Sequence, residues 1–188
     1  MKSTRSGQTT ILGGQSGQGQ ADVDPSSRGL VGMDAVHRWV HRGYMFDAWN
    51  YNAALGSGAA LEILIVMAAS HGIHARFAAA AGGDALLTVF ESPTVSSNGV
   101  AVVPMNRNRT SARTALGSVY KNPTISADGT QIGNTLLPGG DRGQTGGGGG
   151  SSFEEFILAP GTKYLFRLTN LAVGAEPADL DLHFYEPE

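Results

Sequence analysis

The chain has 188 residues, of which 41% are hydrophobic and 15% charged, and its formal net charge is −3. This length fits one domain with appendages or two very small domains. A nucleic-acid-binding protein needs a dense basic surface, so the negative balance argues against that class. The sequence has no cysteine, which excludes disulfides and thiolate chemistry.

Nothing in the sequence predicts a membrane span. The most apolar run, "AALEILIVMAA" at 59–69, is too short and contains Glu62. The first twenty residues lack the apolar centre of a signal peptide. We therefore expect a soluble protein that does not contact a membrane and is not exported by that route.

Residues 1–29 consist mainly of Gly, Ser, Gln and Thr, with "TTIL" at 9–12 as the one apolar point. Such a segment cannot bury enough surface to fold alone. We expect an extended arm in which Thr10, Ile11 and Leu12 contact a partner. The predicted division is an arm and connector at 1–42 and a β-domain at 43–188; "MDAVHRWVHR" at 33–42 fits a helix or a strand.

From residue 43 onward, the alternation of apolar and polar residues predicts strands separated by turns. The clearest is 178–186, where Leu180, Leu182 and Phe184 share one face. Eight of the twelve residues at 139–150 are glycine, which predicts a flexible excursion between strands. The other predicted strands lie at 44–53, 61–69, 73–81, 84–92, 98–106 and 115–125, with two more around "APGT" within 153–171. The expected fold is all-β, a jelly-roll-like antiparallel β-sandwich with an extended N-terminal arm.

The residues that could carry catalysis or hold a metal do not form a recognisable motif. A zinc site needs three or four ligands, whereas four of the five histidines come in two separate pairs, His37 with His41 and His71 with His74. The glycine-rich stretches lack the Gly-Lys-Ser/Thr ending of a phosphate loop. Glu154 and Glu155 are adjacent, so a strand would direct them to opposite faces. We expect no enzymatic activity, no cofactor and no metal.

The segment "PMNRNRTSARTA" at 104–115 is cationic, with Arg107, Arg109 and Arg113 and no carboxylate between residues 92 and 127. The C-terminal segment is anionic and carries Glu176, Asp179, Asp181, Glu186 and Glu188. The two segments could meet between copies in a head-to-tail ring, pair within one chain, or remain solvated. The three arginines are candidate partner-binding residues. A nucleic-acid role is disfavoured because no aromatic platform lies among them.

Several stretches resemble a family of small β-sandwich structural proteins of tailed bacteriophages, of the capsid decoration (cement) and head-fibre type. The resemblance covers residues 43 to 188 and rests on "NRNRTS" (106–111), "NPTISADGTQI" (122–132), "LLPGG" (136–140), "GGGGGSSFEEFILAPGTKYLFRLTN" (146–170) and "HFYEPE" (183–188). It implies a virion protein made in the host cytoplasm, which binds the major capsid protein on the capsid surface and contacts itself as a homotrimer.

Two other functions stay open at this stage. One is a receptor- or glycan-binding module of a head fibre or tail, for which Trp39, Trp49, Tyr44 and Tyr51 are candidate stacking residues, although aromatic residues more often pack in a core. The other is a glycan-degrading enzyme, which would need clustered carboxylates that the spacing does not show.

Overall fold

The computed structural model describes residues 22–23, 30–31, 35–139, 151–152 and 155–186. The chain divides into two units, residues 1–38 and 39–188. In the first, strands β1 (Asp22–Val23) and β2 (Leu30–Val31) pair antiparallel. Helix α1 (Ala35–His41) follows, so residues 35–41 of the ambiguous segment are helical. The predicted division at residues 42 and 43 stays a prediction.

The second unit is built from short antiparallel strands. They are β3 (Met45–Leu55), β4 (Ala60–Val66), β5 (Ile73–Ala81), β6 (Ala85–Glu91), β7 (Thr94–Ser97), β8 (Val100–Val102), β9 (Met105–Asn106), β10 (Ser118–Lys121), β11 (Thr124–Ala127), β12 (Thr130–Leu137), β13 (Ser151–Ser152), β14 (Phe156–Leu158), β15 (Lys163–Asn170) and β16 (Glu176–Tyr185). No helix within the described ranges has the length and apolar character needed to cross a bilayer.

Two sheets contain most of these strands. Sheet I has the order β12–β6–β15–β4–β10–β8, and sheet II has the order β13–β5–β16–β3–β9, with β14 also paired to β5. The predicted all-β antiparallel sandwich is therefore confirmed. Its jelly-roll character stays a prediction, which is favoured because the chain changes sheet at each step from β3 through β4 and β5 to β6.

The core lies between the sheets and is formed by the inward face of each strand. On β16, Leu180, Leu182 and Phe184 are at most 1% exposed, as their alternation predicts. Phe77 of β5 meets Phe166 of β15 across the core, with ring centroids 4.4 Å apart. Burying each phenylalanine contributes about 1.5–3 kcal/mol, so these contacts fix the two sheets against each other.

Two predicted strands are wrong as continuous elements. The segment 98–106 divides at Val103 and Pro104 into β8 of sheet I and β9 of sheet II. The segment 115–125 divides between β10 and β11, where Asn122 has φ +48°. Asparagine tolerates this left-handed conformation, and Pro123 has no N–H to continue the ladder, so the chain leaves sheet I there.

Strands β7 and β11 pair with each other in a separate two-stranded sheet. A β-carbon at Gly99, after β7, would lie 2.2 Å from the carbonyl oxygen of Lys121 at the end of β10. A β-carbon at Gly129, after β11, would lie 2.3 Å from the carbonyl oxygen of Glu91 at the end of β6. Strand β7 therefore runs from the end of β6 to the end of β10, and β11 runs back from the end of β10 to the end of β6. We call them the crossed pair.

Asp128, directly after β11, pairs with Arg167, which alternates with the core residues Phe166 and Leu168 of β15 and so points to the outer face of sheet I. We infer from this that the crossed pair lies over that outer face. Strands β15 and β4 lie between β6 and β10, so β6 and β10 are about 14 Å apart at ~4.8 Å per strand. Four extended residues, the length of β7 or of β11, cover about 13 Å and can therefore span most of that distance. Leu64 and Leu165, each 0% exposed, alternate away from the core and lie at the centre of this face. These two leucines form a second, smaller apolar layer on the face where the crossed pair lies.

Candidate functional site

The guanidinium of Arg107 contacts sheet II of its own chain. Its Nε donates to Asp47 Oδ1 and Oδ2 at 2.9 and 2.8 Å. His183 Nδ1 lies 2.8 Å from Asp47 Oδ1 and 3.0 Å from Arg107 Nη2. Burial alone would raise the pKa of Asp47, but the hydrogen bonds from His183 and Arg107 outweigh it and lower that pKa. Arg107 is therefore engaged within the chain.

The other two arginines differ from Arg107 and from each other. Arg113 Nη2 donates to Tyr44 Oη at 2.8 Å, and its guanidinium lies 3.7 Å from the centroid of that ring, a cation–π distance. Arg109 is exposed, and its Nη1 donates to the carbonyl oxygen of Asn106 at 3.3 Å. Of the three candidate residues, Arg109 thus has the guanidinium most available to a partner.

The segment that carries the arginines, residues 107–117, has a defined shape because asparagine side chains fix it. Asn106 is 8% exposed, and its Nδ2 donates to the carbonyl oxygens of Gly43 and Arg113 at 2.9 and 3.1 Å. Asn108 Nδ2 donates to the carbonyl oxygen of His41 at 2.9 Å. We call residues 107–117 the arginine loop.

Glu186 fixes the other end of the arginine loop. Its side chain is buried, and Oε1 accepts hydrogen bonds from the N–H groups of Leu116 and Gly117 at 2.7 and 3.3 Å. Burial raises the pKa of Glu186. The anionic C-terminal segment and the cationic segment therefore meet within one chain at this point, through backbone hydrogen bonds rather than an ion pair.

Beside the arginine loop, sheet I ends in an open edge. Strand β8 pairs with β10 on one side, and within the described residues no strand pairs with its other side. Val100 and Val103 flank this edge and are 68% and 81% exposed. A cleft of about 240 Å³ lies here, lined among others by Val102, Val103, Pro104, Arg113, Thr114 and Ala115. The edge combines unpaired backbone groups with an exposed apolar surface.

The histidine pairs do not form a metal centre in the part of the chain that the structure describes, which contains no group of three or more potential ligands. His74 stacks on Tyr185 with ring centroids 4.6 Å apart and contacts Glu155 through Nδ1. Burial and the hydrogen bond to Glu155 raise the pKa of Tyr185 to about 12. Glu155 lies just before β14 rather than in a strand, and Glu154 lies outside the described residues.

The four candidate stacking residues separate into two groups. Tyr44 is 6% exposed and packs edge-on against Trp39, which also stacks on Tyr185. Trp49 and Tyr51 are 46% and 59% exposed on the outer face of sheet II. The first two are packing residues, whereas the last two are accessible to a ligand.

Three further residues position the arginine loop: Asp47, Asn106 and Glu186. The sequence identified Glu186 only as part of an anionic segment, and the outward alternation of Asp47 on β3 was the one signal for that residue. The crossed pair had a clearer signal, because "SPTVSSNGV" at 92–100 and "NPTISADGT" at 122–130 are similar stretches thirty residues apart. Thr10, Ile11 and Leu12 lie outside the described residues, so their predicted contact stays a prediction.

Comparison of the sequence with models of protein families finds no match, and comparison with curated proteins finds none either.

Proposed function

We propose that this chain is a non-enzymatic decoration (cement) protein of a tailed-bacteriophage head. It binds the outside of the capsid as a trimer and bridges neighbouring subunits of the major capsid protein. The resemblance of residues 43 to 188 to phage decoration and head-fibre proteins supports this, and an antiparallel β-sandwich agrees with that resemblance.

The observation that carries the proposal is the open edge of sheet I beside the arginine loop. An exposed strand edge is a template for pairing with another chain, and proteins usually cover or charge it. Here the edge carries Val100 and Val103, both mostly exposed. A partner strand that pairs with β8 would satisfy its backbone groups and bury both valines. Arg109 then lies beside the contact and is available to a carboxylate of the capsid.

The predicted arm adds a second contact. An arm that becomes ordered only on binding costs conformational free energy, so one such arm alone would bind weakly. A trimer carries three arms, and the second and third bind at high effective concentration once the first has bound. Edge and arm together explain how one small protein can bridge capsid subunits.

The test is binding to capsids assembled from the cognate major capsid protein, measured as bound copies by quantitative gel densitometry and electron microscopy. Val103→Asp places a charge at the edge, and we expect at least a tenfold loss of affinity, which corresponds to about 1.4 kcal/mol. Deleting residues 1–29 should leave a folded domain that no longer binds.

Val173→Asp is the matched control, since Val173 is 99% exposed and lies outside the edge. This variant should bind like the unmodified protein. If Val103→Asp and the truncated chain both decorate capsids normally, the proposal is wrong. Copy number gives an independent check: hundreds of copies per particle indicate decoration, and a handful indicates a fibre or tail.

A further inference from the structure

The outer face of sheet II carries two aromatic side chains two residues apart on β3. Trp49 and Tyr51 point outward, while their neighbours Ala48 and Asn50 are buried. The two rings keep about half of their surface in contact with water in the isolated chain. Large aromatic side chains usually bury most of their area, so two on one sheet face are a candidate binding platform.

The strand register places a carboxylate opposite each ring. Trp49 pairs with Asp181 and Tyr51 pairs with Asp179 on β16. Side chains that are directly opposite in an antiparallel pair have Cβ atoms about 4.5–5.5 Å apart. On the far side of β16, Asp181 pairs with Ala78 of β5 and Asp179 pairs with Ala80. The face therefore holds two rows, each of a ring, a carboxylate and an alanine methyl group.

The two carboxylates are available to a ligand. Neither forms a hydrogen bond or an ion pair with any other described residue. Burial, together with the nearby charges of Asp179 and Asp47, raises the pKa of Asp181. A hydroxyl group that donates to this carboxylate would stabilise its charged form.

The charges around this face nearly cancel, which disfavours a polyanion. Four carboxylates (Asp47, Asp179, Asp181 and Glu155, the last beside Arg76) face three cations. Arg76 lies beside His183 in the sheet register, Arg107 binds Asp47, and Lys121 Nζ lies 6.0 Å from the centroid of the Trp49 ring. The small excess of negative charge repels a polyanion and gives only a weak long-range attraction for a cationic segment.

We propose that this face binds a neutral carbohydrate chain. A sugar ring has an apolar side of C–H bonds, which packs on an aromatic ring because their partial charges attract the negative π-face. Its hydroxyl groups are hydrogen-bond donors suited to a carboxylate, and such bonds are stronger than neutral ones. Trp49 with Asp181 contacts one sugar unit, and Tyr51 with Asp179 contacts a neighbouring unit. This site shares no residue with the edge proposed to bind the capsid, so either can exist without the other.

The test uses the full chain in affinity electrophoresis through gels that contain a linear β-glucan, a linear α-glucan, a mannan or a galactan, run in parallel with a polysaccharide-free gel. We expect at least one polysaccharide to slow migration. Trp49→Ala and Tyr51→Ala should each weaken that binding at least tenfold. Leu136→Ala is the matched control, because Leu136 is 62% exposed on β12 of the other sheet and should bind normally.

Tryptophan fluorescence gives a second readout of the same site. The chain has two tryptophans, and Trp49 is the more exposed. Titration with the retarding polysaccharide should shift the emission of the unmodified protein, and Trp49→Phe should remove the shift while retaining part of the binding. Both effects should persist in 0.5 M NaCl, because a neutral ligand binds without ion pairs.

Three results would overturn the proposal: no retardation by any of the four polysaccharides, equal retardation of the unmodified protein and Trp49→Ala, or binding that disappears in salt. A fourth would assign the face to a contact between copies of this chain. In that case Asp179→Asn and Asp181→Asn would lower the sedimentation coefficient, with no polysaccharide binding.

Discussion

Replacing Glu186 by alanine tests whether one buried carboxylate fixes the arginine loop. The change removes the acceptor of the Leu116 and Gly117 N–H groups. A buried donor left without a partner costs about 1–3 kcal/mol. The Gly117 N–H is in a buried position, whereas that of Leu116 is partly buried and can recover a bond to water. Removing the carboxylate offsets part of this cost, because its Oε2 is buried without a hydrogen-bond partner among the described residues and that burial is unfavourable.

We therefore expect Glu186→Ala to lower the free energy of unfolding by about 2 kcal/mol. Glu186→Gln keeps an acceptor oxygen in place and should cost less than about 1 kcal/mol. Urea unfolding followed by circular dichroism measures both, and at ~2 kcal/mol per molar urea the midpoint of the alanine variant should fall by about 1 M. Hydrogen exchange at the amides of residues 116 and 117 should accelerate in the alanine variant and change little in the glutamine variant.

The reasoning is refuted if the alanine variant is as stable as the unmodified protein, or if glutamine is as harmful as alanine. The pH dependence is a separate check. The pKa of Glu186 is raised in the folded state, so its contribution is fully present below the unfolded value near 4.5 and is lost as the pH rises through the folded pKa. The glutamine variant lacks this loss, so its stability relative to the unmodified protein should increase from pH 4 to pH 7.

Two further predictions concern the crossed pair and the Asp47 ion pair. Gly99→Ala should lower the free energy of unfolding by more than about 1 kcal/mol, because φ is +85° and the new β-carbon would meet a carbonyl oxygen. Gly58→Ala, with φ +70° but open space around it, should cost less in the same urea titration; equal costs would mean that the close approach is unimportant. Asp47→Asn should remove a stability contribution that is present above the unfolded pKa near 3.8 and lost as the pH falls through the lowered folded value. Acid unfolding curves of the variant and the unmodified protein should therefore converge at low pH, and curves that stay parallel would contradict the pairing with Arg107.

The fold was predictable where the side-chain alternation is strict. Strand β16 follows from Leu180, Leu182 and Phe184, since a period of two places them on one buried face. The break between β10 and β11 was not predicted, because a strand that leaves one sheet for another keeps the same local pattern. Asn122 and Pro123 were the local signal, and the similar Ser92 and Pro93 could have strengthened it.

The candidate site was less predictable than the fold. The sequence identified the three arginines as a cationic group, but the partner of Arg107 depends on which strands lie next to each other. Asp47 is sixty residues away, and His183 reaches the same point from the last strand. The alternation along residues 44–51 separates Tyr44, which has the parity of the buried Phe46, from the outward Tyr51. It does not show that Arg113, sixty-nine residues away, covers the Tyr44 ring.

The crossed pair has a consequence for the order of events after synthesis. Its two strands leave the ribosome before β15, yet they lie across a surface in which β15 is one of the two central strands. Until β15 has been made, the two strands that lie between β6 and β10 cannot both be in place, and Leu64 and Leu165 cannot form their common layer. The closure must therefore be a late step that joins contacts distant in sequence, which are intrinsically slow to form.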